Sequence, residues 1–282
     1  MPGPRTEQRQ KRPFDGTPRL RRAMPRAAVV LAAAALLAGA EAAPAFAIDG
    51  GTPAAYGQIP SEVAIQNPDG SLDCSGTILD ATHVLTAASC VTNLDTLLGS
   101  LTGGLLGGLT VRYDSLDYAS GGTVDAVAQI TDYPGYDPLL PDENDIAVLT
   151  LANPITYDTD AQPAALPAAD SSDPAPGTPA TISGYGATQP GGPDALVLQR
   201  AQTSIVSRQT CQNANWGQPV TTRQICTLAQ AGTGTDSGDG GGPLVVNGQV
   251  VGVSDANQPP ATGQPNVYTK VASLRDWIKS EV

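Results

Sequence analysis

Histidine is almost missing from this sequence: His83 is the only one among 282 residues. The four cysteines include no Cys-x-x-Cys pair, so a zinc centre has almost nothing to assemble from, and neither a metal nor a cofactor is expected. Basic side chains are scarce and unevenly placed. The chain has 15 Lys and Arg against 27 Asp and Glu, and residues 1–47 take eight of the basic and three of the acidic groups. The remainder therefore carries 7 basic and 24 acidic groups, a formal net charge of −17. Phosphate backbones are bound by Lys and Arg that displace counterions, so nucleic acid is excluded as a partner. An acidic surface favours solubility and attracts basic partners. No long hydrophobic run is present either. The best one, Ala27 to Ala40, is Ala-rich and shorter than the roughly 20 residues a membrane helix needs, so no stable span is expected.

What is there begins with a leader. Arg19, Arg21, Arg22 and Arg26 precede that apolar run, and Ala45-Phe46-Ala47 has the small-x-small form of a signal cleavage site. Residues 1–47 read as a signal peptide, with Met24 as an alternative start, and the general and twin-arginine routes both remain open. Residues 48–282 are then a secreted, extracellular chain. Its size suits one large domain or two small ones. Four cysteines in an exported chain favour two disulfides, and spacing leaves three pairings.

Short β-rich runs separated by Gly, Pro, Asn and Asp dominate the mature part: Thr77-Leu79, Val84-Thr86, Ile146-Leu151, Leu244-Val246, Val250-Val253 and Val267-Val271. Such a pattern predicts an all-β antiparallel sandwich or barrel. Helix signal concentrates at the C-terminus, where Val271, Leu274, Trp277 and Ile278 share a helical face. The Ala/Pro/Asp-rich stretch from Tyr157 to Pro179 reads as a linker between two β halves.

Six segments in fixed order then resemble the trypsin-like serine protease family (peptidase family S1), across essentially all of residues 48–282. They are Ile48-Asp49-Gly50-Gly51, Leu85-Thr86-Ala87-Ala88-Ser89-Cys90, Asn144-Asp145-Ile146-Ala147-Val148-Leu149, Ser183-Gly184-Tyr185-Gly186, Gly238-Asp239-Gly240-Gly241-Gly242-Pro243-Leu244, and Val267-Tyr268-Thr269-Lys270-Val271 with Asp276-Trp277-Ile278. The resemblance implies two six-stranded antiparallel Greek-key barrels, the first at about 48–160 and the second at about 161–270, closed by a C-terminal helix at 271–282. It also implies the bridges Cys74–Cys90 and Cys211–Cys226, each closing a loop of about 15 residues and worth on the order of 3 kcal/mol. The family's usual bridge beside the specificity pocket is absent, with Asp236 at its first position.

The family's acyl transfer needs a serine nucleophile, an imidazole base, a carboxylate that orients the base, and backbone N–H groups for the oxyanion. Position by position, the resemblance retains Asp145, puts Ser89 where the histidine belongs and Gly240 where the nucleophile belongs. A serine hydroxyl is no base near neutral pH, and glycine has no side chain to attack with. The oxyanion hole uses the N–H groups of Gly238 and Gly240, which glycine preserves. His83, six positions before Ser89, reads as a framework residue. Ser237 would be the nucleophile only if Asp239-Gly240 were an insertion, and it would still lack a base. Ser89 and Ser254 are the expected hydrogen-bond donors to Asp145. A freed Ile48 amine would pair with Asp239, as in active members of the family. Gly234 stands near the pocket base where trypsins carry aspartate, so Lys or Arg preference is not implied. Ser254-Asp255-Ala256-Asn257 replaces the family's Ser-Trp-Gly. The leucine-rich loop 93–110 is a candidate contact surface, read either as a lid or partner-binding patch or as a loop packed on its own barrel.

The reading is a serine protease homologue without catalysis that binds a polypeptide ligand, an inhibitor or a partner protease. The alternative is an active endopeptidase with a relocated or non-standard site.

Overall fold

The computed structural model describes residues 48–92, 108–138, 143–189, 191–214, 219–228, 233–255 and 263–282. The leader and most of the leucine-rich loop lie outside them. Six strands form the first barrel: β2 (Glu62–Gln66), β3 (Leu72–Ile78), β4 (His83–Thr86), β5 (Thr110–Tyr113), β6 (Thr123–Asp132) and β7 (Ala147–Leu151). They close antiparallel in the order β2-β3-β4-β7-β6-β5. The second barrel contains β8 (Pro179–Gly184), β9 (Gln199–Val206), β10 (Gln224–Thr227), β11 (Pro243–Val246), β12 (Gln249–Ser254) and β13 (Asn266–Lys270). Its sheet order is β9-β10-β13-β12-β11-β8, and pairing of β8 with β9 closes the ring. A two-residue strand β1 (Thr52–Pro53) adds to β9, so the segment at Ile48 starts on the second barrel before the chain enters the first.

Side-chain alternation explains how the barrels meet. Along β2, Val63 and Ile65 point into the first barrel's core with Val84, Val111 and Leu149. The next residue outward, Ala64, packs instead with Leu72, Tyr185 and Leu198, residues from both halves. Every residue of β2 is consequently buried, including Glu62 and Gln66. The second core gathers Ile182, Ile205, Ile225, Leu244 and Tyr268, with the Ile48 side chain among them. Gly252 is required there: a Cβ would sit 2.8 Å from the Tyr268 Cβ and 3.1 Å from Ile225 Cγ2.

The C-terminal helix, Val271–Ser280, follows β13 directly and crosses back to the first barrel. Val271, Leu274 and Ile278 join that barrel's core, and Trp277 packs edge-on to Tyr133 with ring centroids 5.2 Å apart. The expected helical face is the one observed. Residues 152–178 hold no strand or helix, and one parallel bridge, Ala165 with Gln249, ties them to the second barrel. Both bridges form as the resemblance implied, Cys74–Cys90 and Cys211–Cys226.

Leu149 is fully buried among these side chains. Leu149→Ala is expected to cost about 2–5 kcal/mol through lost contacts and the cavity left behind. The measurement is the urea midpoint at unchanged slope; a loss below about 1 kcal/mol would mean the core collapses around the gap.

Candidate functional site

Two corners, one from each barrel, face each other. In the first, β4 runs into a single-turn helix α1 (Ala88–Val91). Antiparallel pairing puts Thr86 opposite Ala147, so Asp145, just before β7, lies beside Ser89, just after β4. The Ser89 backbone N–H donates to Asp145 Oδ1 at 2.7 Å and its hydroxyl donates to Oδ2 at 2.5 Å. Asp145 is fully buried and Ser89 partly exposed. A buried carboxylate must be hydrogen-bonded to remain in place, and Ser89 supplies two of the donors. The preceding Asn144 takes a left-handed backbone, φ 61°. Its amide donates to the Gly135 carbonyl at 3.0 Å, and its Oδ1 accepts from Arg223 at 2.8 Å, whose guanidinium lies 5.7 Å above the Tyr133 ring. Arg223 thus braces the Asp145 turn from the second barrel.

The second corner is the loop Asp236–Gly242. The Gly240 carbonyl accepts from the Ser75 N–H at 2.8 Å, and the Gly238 carbonyl accepts from the Ser75 hydroxyl at 3.3 Å. From the other side, the Gly241 N–H donates to the Ser254 carbonyl at 2.7 Å. Gly238 and Gly241 have φ of 87° and 77°. A Cβ on Gly241 would strike Thr86 Oγ1 and the Ser75 carbonyl and lie 3.1 Å from the Ala87 nitrogen, so the loop is seated against the β4–α1 corner. Among the described residues no acceptor pairs with the N–H of Gly238 or Gly240. Two unpaired N–H groups on one loop are what a carbonyl oxygen or carboxylate needs.

Asp239 points the other way and is fully buried. Its Oδ1 accepts from the Gly186 N–H and its Oδ2 from the Asp236 N–H, both at 2.9 Å. Burial still pushes this carboxyl well above the usual range, with Asp236 and Asp49 adding repulsion. The Ile48 side chain sits in the second core, and Asp49 and Gly234 exchange backbone bonds beside it.

The remaining expected positions sort clearly. His83 sits at the far end of β4, with Nδ1 2.9 Å from Asp80 Oδ1, a framework contact. Ser237 is exposed; its N–H donates to Asp236 Oδ1 at 2.7 Å and its carbonyl accepts from Ala187, and no imidazole accompanies it. The Ser254 hydroxyl is directed at the Asp255 carbonyl, 3.5 Å away, rather than at Asp145. Residues 256–262 and 93–107 lie outside the described residues, and with them most of the candidate contact surface. Leu109, at its end, is buried in the first core. Sequence reasoning missed the Arg223–Asn144 brace and Ser75. Only the contact between barrels gives them meaning.

The family model described as Trypsin matches residues 48–278. The chain belongs to the trypsin family. It is 33% identical over 234 residues to Chymotrypsin-2 of Vespa crabro, covering 82% of this chain and 98% of the relative. It is 34% identical over 239 residues to Trypsin 5G1 of Aedes aegypti, covering 82% and 84%. Among solved structures, human heparin binding protein is similar at 26% identity and a TM-score of 0.69, covering 83% of this chain and 96% of that one. Neuropsin, a serine protease expressed in the limbic system of mouse brain, is similar at 27% identity and a TM-score of 0.70, covering 82% and 98%. No helix among the described residues of this trypsin-family chain is long and apolar enough to cross a membrane.

Ser89→Ala should cost about 1–3 kcal/mol in urea unfolding, because buried Asp145 loses a donor. Ser89→Thr, which keeps the hydroxyl, should retain most of it. Asp239 carries a pH signature. Its folded-state pKa lies above the unfolded value of about 3.9, so above that pH the folded state binds the extra proton. While Ile48 remains peptide-linked, stability should therefore fall as pH rises from about 4 toward the folded-state value. Asp239→Asn should flatten that part of the profile, measured by urea unfolding across pH; an unchanged slope would assign it to other groups.

Proposed function

We propose that this chain is a secreted trypsin-family homologue that does not hydrolyse peptide bonds and uses its cleft to bind polypeptide. The observation that carries the reading is the Ser89–Asp145 pair. At the position where the family keeps its imidazole base, a serine donates both its N–H and its hydroxyl to the carboxylate. That hydroxyl is engaged as a donor and has no accessible pKa with which to take a proton from a nucleophile. Gly240, at the nucleophile position, offers no attacking atom. The one histidine is held by Asp80 at the other end of β4.

The polypeptide part of the reading is supported by the free N–H groups of Gly238 and Gly240, which suit a peptide carbonyl or a C-terminal carboxylate. Inhibitors and partner proteases present such groups on exposed loops. One of the similar structures is named for binding heparin, a polyanion. With 7 basic against 24 acidic groups after residue 47, this chain is unsuited to that ligand and better suited to a basic polypeptide. Export rests on the leader at 1–47 and on the two disulfides, which oxidising compartments maintain. Cleavage before Ile48 would free an amine to pair with Asp239 and relieve that buried carboxyl, so removal of the leader would itself complete the loop.

Intact mass after treatment with excess fluorophosphonate tests the reading: no adduct is expected. One stoichiometric adduct, at Ser237 or any other serine, would overturn it. Ser89→His combined with Gly240→Ser should create a fluorophosphonate-reactive serine at position 240, whereas either change alone should not.

A further inference from the structure

The connector between the barrels is tied to β12 at one point and to the C-terminal helix at another. The Ala165 carbonyl accepts from the Val250 N–H at 2.9 Å, and the Asp170 N–H donates to the Ala272 carbonyl at 2.8 Å. Pro167 and residues 171–174 of the same stretch line one side of a cavity of about 270 Å³. Alternation along β12 sends Val250 to the first barrel's core and Val251 to the second's, where Ile225 and Val246 also lie. Ile225, Val246 and Val251, with Pro167 opposite, give the cavity an apolar wall.

Two of the seven basic groups that follow residue 47 build its polar side. Lys270 ends β13, lines the cavity and is only 9% exposed. Its Nζ lies 2.6 Å from Asp173 Oδ1, and Arg208, just after β9, donates to Asp173 Oδ2 at 2.7 Å. Asp173 is the only carboxylate among the lining residues, and the two cations share it. Two cations against one carboxylate leave a formal charge of +1, on a protein that is otherwise strongly acidic. An ammonium has three N–H donors, and among the described residues Asp173 is the only partner of this one. A buried cation with donors to spare is poorly compensated until an acceptor joins it.

We propose that this cavity binds a small monocarboxylate with an apolar body. The carboxylate meets Lys270, and the body lies against Ile225, Val246 and Val251. A formal +1 matches a single negative charge, whereas phosphate or a polyanion brings more charge than the cluster balances on so acidic a protein. The lysine stem and the valine wall reward a carbon body, which a bare inorganic ion lacks. The volume lies near the lower end for small-molecule sites, so the ligand is small. None of the lining residues belongs to the loop Asp236–Gly242 or to the Ser89–Asp145 pair, so the site stands whether or not the cleft hydrolyses peptide.

Isothermal titration of the full mature chain with hexanoate is the test, with hexanamide and inorganic phosphate as controls. Saturable binding of hexanoate is expected, and binding at least about tenfold weaker for either control, the equivalent of one lost charged hydrogen bond. Lys270→Met keeps the stem and removes the ammonium, and should weaken hexanoate by a similar factor. Asp173→Asn retains an oxygen for Arg208 and removes the cluster's one negative charge, so hexanoate should bind several-fold tighter. Such a gain of affinity cannot come from misfolding. No saturable heat, equal affinity for either control, or looser or unchanged binding in Asp173→Asn would overturn the proposal. So would hexanoate binding that survives Lys270→Met, which would put the carboxylate on the N–H groups of the cleft instead.

Discussion

The structure depends on how the loop Asp236–Gly242 is held between the two barrels. Its carbonyls at 238 and 240 are taken by Ser75 of the first barrel, and its N–H at 241 by Ser254 of the second. Neither barrel alone fixes the loop, so the cleft exists only when both are packed. The approach is close enough that a side chain at Gly241 would collide with Thr86 and Ser75, and one at Gly186 or Gly184 with Asp239. These glycines are a packing requirement of the seam.

Seen from this seam, the buried carboxylates fall into two kinds. Asp145 has Ser89 as a donor of two strong hydrogen bonds, and its turn is braced by Arg223 stacked over Tyr133. Asp239 and Glu62 are less well served, and burial pushes both carboxyls well above their ordinary values. Both lie where the barrels meet, each with hydrogen bonds too few to offset desolvation. A cation brought near Asp239, such as an amine, would offset part of that desolvation.

Much of this was legible in the sequence because it is local or follows from pattern. Val84-Thr86 and Val250-Val253 alternate or run apolar between turn residues, and they fall inside β4 and β12. The C-terminal face of Val271, Leu274 and Ile278 is set by helical period. The Ser89–Asp145 contact followed from the order of segments. What was not legible depends on register across the seam. Arg223 and Asn144 are separated by 79 positions, and nothing in either neighbourhood announces the other. The Ser254 hydroxyl points at its own neighbour's carbonyl, a rotamer choice that sequence does not carry. Glu62 keeps one carboxylate oxygen unpaired among the described residues, because β8 delivers Ser183 only to the other one.

In the proposed reading, the two changed catalytic positions are not equally free. Position 89 must still serve Asp145, which stays buried whatever stands beside it. Alanine or glycine there would remove the hydroxyl that donates to a buried carboxylate oxygen, at a cost of about 1–3 kcal/mol. Serine is the smallest side chain that carries a donor to that oxygen. Position 240 has no such debt: its carbonyl, which accepts from Ser75, and its N–H are backbone groups, and glycine provides both. Loss of a nucleophile is therefore silent for stability, while loss of a base is tolerated only if a donor replaces it. Ser89 with Gly240 meets both conditions, and it leaves the cleft able to hold a carbonyl group without reacting with it.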